Sequence, residues 1–169
     1  IVKPSEVAPG SGALLRSLAA RAGFPPDVFQ VVDGDGSVGE ALVRARPDRI
    51  FFTGSTATGR KVAKTAAELL IPVDLELGGK DAMVVLEDAD LERAVLGAVH
   101  GAVANAGQVC VSVERVFVAR PVFERFVTGV SDAVRALKVG LGPDDDVGPL
   151  VSERQREIVE NQLRAALDA

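Results

Sequence analysis

Apolar residues along the chain alternate between a helical spacing of three or four and short continuous runs, which predicts helices interleaved with buried strands. Ile1 and Val2 read as the end of a strand. A helix is expected from about Ser11, with Leu14, Leu15, Leu18, Ala19 and Ala22 on one face, and Gly23, Pro25 and Pro26 stop it. Residues 28–32 form an apolar, strand-like run, residues 37–45 a small helix, and residues 49–53 another strand. Val62, Ala63, Ala66, Ala67 and Leu70 then repeat with helical period over residues 55–70. Residues 72–77 and 82–86 read as strands parted by a turn at Gly78 and Gly79.

In the second half, Leu91, Ala94, Val95, Ala98 and Ala102 predict a helix over residues 90–106, whose small side chains suit close packing against a neighbour. Residues 114–119 form a strand. Pro121 sits where a first helical position tolerates it, and Phe123, Phe126, Val127, Val130, Val134 and Leu137 carry the next helical stripe. Asp144 to Asp146 read as a solvated turn, and Ser152 with Gln155 as a capping-box pattern opening a last helix. The order predicts an α/β fold with right-handed crossovers and mostly parallel sheet. No repeat or linker marks a domain boundary.

Charge and cysteine content remove several function classes. The net charge is −5 with no basic run, so a nucleic-acid surface is not expected. A single cysteine excludes an internal disulfide framework and favours a reducing, cytoplasmic setting. One His and one Cys make a zinc site unfavourable, and no metal site is expected. No stretch approaches the roughly 20 apolar residues that span a bilayer. The first residue is Ile rather than Met, which raises the expectation of an upstream part.

Five places could carry chemistry. Gly34 to Gly39 fits Gly-x-Gly-x-x-Gly between a strand and a helix, the context of a dinucleotide loop. No acidic residue follows at a strand end about 20 positions later, so an ordinary turn is the stronger reading. Phe51 to Arg60 is a second strand–turn–helix junction, either an anion site at a helix start or simply an N-cap by Thr53 or Ser55. Glu76 lies in a strand otherwise built for burial and followed by two glycines. It is either a general base at the strand end or, with Asp74, a water-facing edge residue. Cys110, in Asn-Ala-Gly-Gln-Val-Cys (105–110), is either a nucleophile or a small buried hydrophobe. His100 falls mid-helix, ten positions earlier, and suits a polar helix face better than a partner for the thiol. Lys3 and Glu6 follow the first strand, where open α/β sheets bind ligands.

Taken together, Lys-Pro-Ser-Glu (3–6), Phe-Thr-Gly-Ser-Thr (52–56), Glu-Leu-Gly-Gly-Lys (76–80) and Gly-Gln-Val-Cys (107–110) resemble the aldehyde dehydrogenase superfamily in order and spacing. Glu76 and Cys110 are 34 positions apart, and the likeness runs on to Gly148-Pro149-Leu150-Val151-Ser152. The resemblance implies the second half of a Rossmann-like cofactor sheet over residues 1–77. The start of the α/β catalytic domain would follow over residues 78–169.

It also implies roles. Cys110, as thiolate, would add to an aldehyde carbonyl and give a thiohemiacetal. Hydride transfer to NAD would leave a thioester, and Glu76 would activate the water that hydrolyses it to the acid. Lys3 and Glu6 would meet the adenosine ribose, with Ser5 between them among the cofactor contacts. Gly54 and Ser55 would meet the pyrophosphate, Leu77 the nicotinamide, and Gly34 would be a neighbour of the cofactor. A carboxylate at the ribose would repel a 2′-phosphate, so NAD is expected in preference to NADP. Complete members are about three times as long, so the chain reads as part of a larger, homo-oligomeric enzyme, inactive alone, acting on an aldehyde such as a semialdehyde. A CoA-acylating relative is disfavoured by Glu76. An idle fragment that only binds nucleotide or assembles with a partner is the other alternative.

Overall fold

The computed structural model describes residues 1–168, and the chain divides into two compact units, Ile1–Leu77 and Gly78–Ala169. The first unit runs α1 (Pro9–Arg21), α2 (Gly36–Arg44), β1 (Ile50–Thr53), α3 (Thr56–Glu68) and β2 (Val73–Glu76). Strands β1 and β2 are parallel, with Ile50 opposite Val73 and Thr53 opposite Glu76. Both strands therefore end at the same edge, where α3 begins. Val2 makes a single parallel bridge to Val31, its N–H reaching the Gln30 carbonyl at 2.8 Å. The fully buried Ala66 of α3, Val43 of α2 and Ile71 form the core.

Helix ends follow local rules. Helix α1 closes with Gly23 left-handed (φ 82°), where Phe24 N–H bonds to the Ala19 carbonyl and Gly23 N–H to the Ala20 carbonyl. The same double bond closes α3, but there the left-handed residue is Leu70 (φ 57°). A side chain at such a position costs about 1–2 kcal/mol.

Two expectations need correction in this unit. Residues 28–32 are not a strand, because the turn after Pro25 takes the N–H groups of Val28 and Phe29 onto the Pro25 carbonyl. Only Val31 is left to bridge. Helix α1 also starts at Pro9 rather than about Ser11, since proline suits the first helical position.

The second unit runs β3 (Asp81–Val85), α4 (Leu91–Val103), β4 (Val113–Val118), α5 (Phe123–Arg135) and α6 (Glu153–Leu167). Strands β3 and β4 are again parallel, with an irregularity between Asp81 and Ala82. Val85, Ala98, Val122 and Phe126 make its core, with Met83, Leu91, Val95 and Val130 packed around them. Helix α4 lies on α5, and a Cβ at Gly129 would stand 2.9 Å from Val95 Cγ2, so the close packing foreseen for α4 needs that glycine. Helix α4 stops at Val103, short of the expected Ala106, because Asn105 and Ala106 turn left-handed. Pro121 opens a short 3₁₀ turn (Arg120–Val122) ahead of α5 rather than α5 itself.

Many large apolar side chains remain open to solvent, among them Phe51, Leu70, Leu96, Phe117 and Leu141. The accessible surface is 12394 Å². A compact protein of this mass would expose roughly 7,900 Å², and two separate bodies of half the mass roughly 9,500 Å². The excess therefore does not depend on how the two units are disposed. Among the described residues no helix is long and apolar enough to cross a membrane.

Candidate active site

In the second unit, Cys110 stands exposed at the tip of a loop that its neighbours hold by hydrogen bonds. The chain leaves α4 through three consecutive left-handed residues, Asn105 (φ 52°), Ala106 (φ 57°) and Gly107 (φ 73°). Asparagine tolerates that region better than most residues and glycine freely, whereas alanine does not. The bonds that hold the turn are local. Asn105 Nδ2 donates to the Gln108 carbonyl at 3.2 Å, and Gln108 Nε2 donates to the Asn105 carbonyl at 2.9 Å. On the far side of Cys110, the buried Ser112 donates its hydroxyl to the Gly107 carbonyl at 3.2 Å and its N–H to the Val109 carbonyl. Gly79 lies alongside: a Cβ there would come within 3.8 Å of the Cys110 carbonyl oxygen. Cys110 is exposed in this chain, and it lies in a turn rather than at a direct helix-to-strand passage.

In the first unit, Glu76 closes β2, exposed and in no ion pair among the described residues. Its neighbour on the same face, Asp74, is bound by Arg49 at 2.7 Å, whose hydrogen bond and charge hold that carboxyl below the ordinary 3.8. The two acidic residues thus differ: one is tied to Arg49, just before β1, and the other is open. Gly54 N–H donates to the Glu76 carbonyl at 3.1 Å, which fixes the α3 entrance beside the end of β2. A Cβ on Gly54 would strike the Phe52 ring at 2.6 Å. Ser55 is the N-cap of α3, its Oγ accepting from Thr58 N–H at 3.2 Å. Leu77 folds over the first turn of α3, where a Cβ on Gly59 would meet its Cδ2 at 2.7 Å. Glu76, Leu77, Gly54 and Ser55 are therefore brought together at one end of the parallel pair.

A second cluster stands at the end of the opening strand. Lys3 Nζ donates to the carbonyls of Pro4 (2.8 Å) and Gly34 (2.7 Å) and lies 3.9 Å from the Glu6 carboxylate. Lys3 is mostly buried and Glu6 mostly exposed. Ser5 is exposed and closes the turn, its carbonyl accepting from Ala8 N–H at 3.0 Å. In the Gly34–Gly39 loop the N-terminus of α2 is already capped. Asp35 Oδ1 accepts from the Ser37 hydroxyl (2.6 Å) and N–H (2.9 Å), and these bonds hold its carboxyl below the ordinary 3.8. A carboxylate seated there opposes a phosphate, so this loop is built as a turn.

The family model for the aldehyde dehydrogenase family matches residues 1–169. The chain belongs to the aldehyde dehydrogenase family. It is similar to a 4,4'-diapolycopene aldehyde oxidase of Methylomonas sp, 48% identical over 99% of this chain and 32% of that protein. It is also similar to a 2-hydroxymuconic semialdehyde dehydrogenase of Pseudomonas putida, 40% identical over 99% of this chain and 36% of that one. Among solved structures, an aldehyde dehydrogenase of Bacillus cereus in complex with NAD+ superposes with a TM-score of 0.91 at 40% identity, covering 96% of this chain and 34% of that one. An NADP-dependent enzyme of E. coli gives 0.92 at 39% identity, over 98% of this chain and 35% of that one. The chain thus spans about a third of the length of the relatives it matches. Both cofactors occur among such aldehyde dehydrogenases, and the α/β architecture with small parallel sheets is that of the family.

Sequence reading alone missed how the aldehyde dehydrogenase cysteine loop is held. Gln108 was visible only as part of a motif, and its side-chain Oε1 accepts from Val151 N–H at 2.9 Å across 43 residues. Ser112 gave no signal beyond being a small polar residue next to apolar ones. His100 is exposed on α4, and among the described residues no group of three or more His, Cys, Asp or Glu could hold a metal.

Proposed function

We propose that this chain supplies the nucleophile and the general base for NAD-dependent oxidation of an aldehyde to a carboxylic acid, together with part of the cofactor site. The observation that carries the reading is Cys110, exposed at the tip of a hydrogen-bonded loop. Cys110 Sγ, as thiolate, adds to the aldehyde carbonyl carbon, and the carbonyl oxygen takes the negative charge. NAD, when bound, would supply the hydride acceptor needed for the adduct on Cys110 to be oxidised to a thioester. Glu76 then removes a proton from water as its oxygen attacks the thioester carbon; the C–S bond breaks, the acid leaves and the thiolate returns. Glu76 is open for that work because Asp74, not Glu76, takes Arg49.

The donor set at the opening strand fits a nucleoside diol. Lys3 spends two donors on carbonyls, which leaves the Glu6 carboxylate as the free acceptor. Glu6 with Lys3 and Ser5 would hold the adenosine ribose, and Glu6 favours NAD over NADP by charge repulsion with a 2′-phosphate. Gly54 and Ser55 at the start of α3 would face the pyrophosphate, and Leu77 the nicotinamide. Gly34 contributes through its carbonyl on Lys3 rather than by gripping phosphate. The first unit is then the cofactor-binding part and the second the cysteine-bearing part. A semialdehyde is the substrate class we favour, after the muconic relative.

The large apolar side chains left open to solvent support a further part of this reading, that these 169 residues have no useful dehydrogenase turnover alone. Purified chain mixed with NAD and a panel of aldehydes is expected to release no NADH, while iodoacetamide labels Cys110 at a rate that NAD changes. Robust NADH release would refute the inactivity. Labelling indifferent to NAD would instead favour an assembly fragment without catalysis.

A further inference from the structure

We propose that Gln108 is a positioning residue that locks the Cys110 loop to the segment entering α6, an assignment that rests on Cys110 being the nucleophile. The half-buried Gln108 side chain uses both ends of its amide. Nε2 donates to the Asn105 carbonyl at 2.9 Å, and Oε1 accepts from Val151 N–H at 2.9 Å. Val151 directly precedes Ser152, whose Oγ caps α6 by accepting from Gln155 N–H at 3.2 Å. One amide therefore ties the end of the left-handed turn, two residues before the cysteine, to the start of a helix 43 residues further on.

Only glutamine fills this role among side chains of similar reach. Glutamate keeps the acceptor for Val151 but loses the donor and sets a charge against the Asn105 carbonyl. Methionine keeps the length and loses both bonds. Asparagine is a methylene short. The other contacts of the loop, from Asn105 Nδ2 and from Ser112, are closed within residues 105–112 and hold its shape without fixing its place. Gln108 is the side chain that fixes its place, so a shift of the 148–152 segment is passed to the sulfur.

The test compares the second-order rate of Cys110 alkylation by iodoacetamide in folded chain with that in urea-unfolded chain, across the thiol's titration range. A positioned nucleophile reacts faster folded than unfolded. Each hydrogen bond is worth a factor of about five. Gln108→Glu should therefore lower the folded-to-unfolded ratio about fivefold, and Gln108→Met should lower it further, to near unity. Val122→Ala, which loosens the core of the same unit without touching the loop, should leave the ratio where it was. If Gln108→Met fails to fold, Gln108→Glu, which keeps the Val151 bond, carries the test. A clear ratio in the unsubstituted chain that either Gln108 variant leaves unchanged overturns the Gln108 assignment alone. A ratio near unity in the unsubstituted chain overturns the nucleophile reading itself, and this one with it.

Discussion

Replacing Gly34 and Gly36 by alanine, one at a time, should move stability in opposite directions although both belong to one glycine pattern. Gly34 has φ 148°, a conformation that L side chains rarely adopt, and its Cβ would lie 2.9 Å from Val38 Cβ. Val38 is β-branched and stiff at χ1, so it cannot swing aside cheaply. Backbone strain of about 1–3 kcal/mol and overpacking of about 1–3 kcal/mol together put Gly34→Ala at about 2–6 kcal/mol destabilising. Gly36 is the first residue of α2, and nothing lies within 4 Å of its Cβ. Gly36→Ala should stabilise by about 0.4–1 kcal/mol, mostly by restricting the unfolded chain. Urea unfolding followed by far-ultraviolet circular dichroism reads both. Because Asp35 already caps α2, Gly36→Ala should also leave NAD's effect on Cys110 labelling unchanged. A destabilising Gly36→Ala, a neutral Gly34→Ala, or loss of the NAD effect in Gly36→Ala would refute the view of this loop as a structural turn.

Four further outcomes follow from the same geometry. Phe126→Ala removes the largest member of the second unit's core and should cost about 3–5 kcal/mol in urea unfolding. Leu70→Gly relieves a left-handed leucine that is 92% exposed and should stabilise by about 0.5–1 kcal/mol in the same assay. Cys110→Ser should abolish alkylation at this position yet change unfolding free energy by no more than about 0.5 kcal/mol, because the residue is exposed. Asp35 and Asp74 both sit below the ordinary 3.8, through bonds from Ser37 and Arg49 respectively. Their folded forms therefore hold protons less readily than the unfolded chain. Their contribution is complete above about pH 4 and is lost as pH falls through the lower folded values, which acid titration of the circular dichroism signal would follow.

Periodicity made most elements legible, because apolar residues recur at helical spacing along the helices and in short runs along the strands, although α6 buries none of its residues and the Leu14, Leu15 and Leu18 face of α1 is exposed. It failed where local hydrogen bonding overrode apolarity. The Pro25 turn consumed the N–H groups that a strand at 28–32 would have needed, and the left-handed turn at Asn105 cut α4 short. The candidate site divides the same way. Cys110, Glu76, Lys3 and Glu6 each had an ordinary local reading, and it was the order and spacing of their motifs, resembling the aldehyde dehydrogenase superfamily, that singled them out. The contrast between Asp74 and Glu76 was not legible, because period 2 puts both on one face and only the reach of Arg49 separates them. The Gln108–Val151 bond spans 43 residues and leaves no local signature at either end. Glycine patterns are ambiguous by themselves: the turn at Gly34 and the dinucleotide motif it resembles require the same residue for different reasons, and the missing acidic residue downstream is what favoured the turn.

The central claim is that Cys110 becomes acylated and that Glu76 delivers the water that clears it. An activated ester, p-nitrophenyl acetate, tests this without cofactor, because thiolate attack releases nitrophenolate and leaves acetyl-Cys110. Intact-mass analysis over time should show acetylation of the chain, none at this position in Cys110→Ser, and in Glu76→Gln an acetyl group that persists about a hundredfold longer, within the range for a lost general base. Equal lifetimes of the acetyl group with and without the Glu76 carboxylate, or nitrophenolate release that survives Cys110→Ser undiminished, would contradict the account.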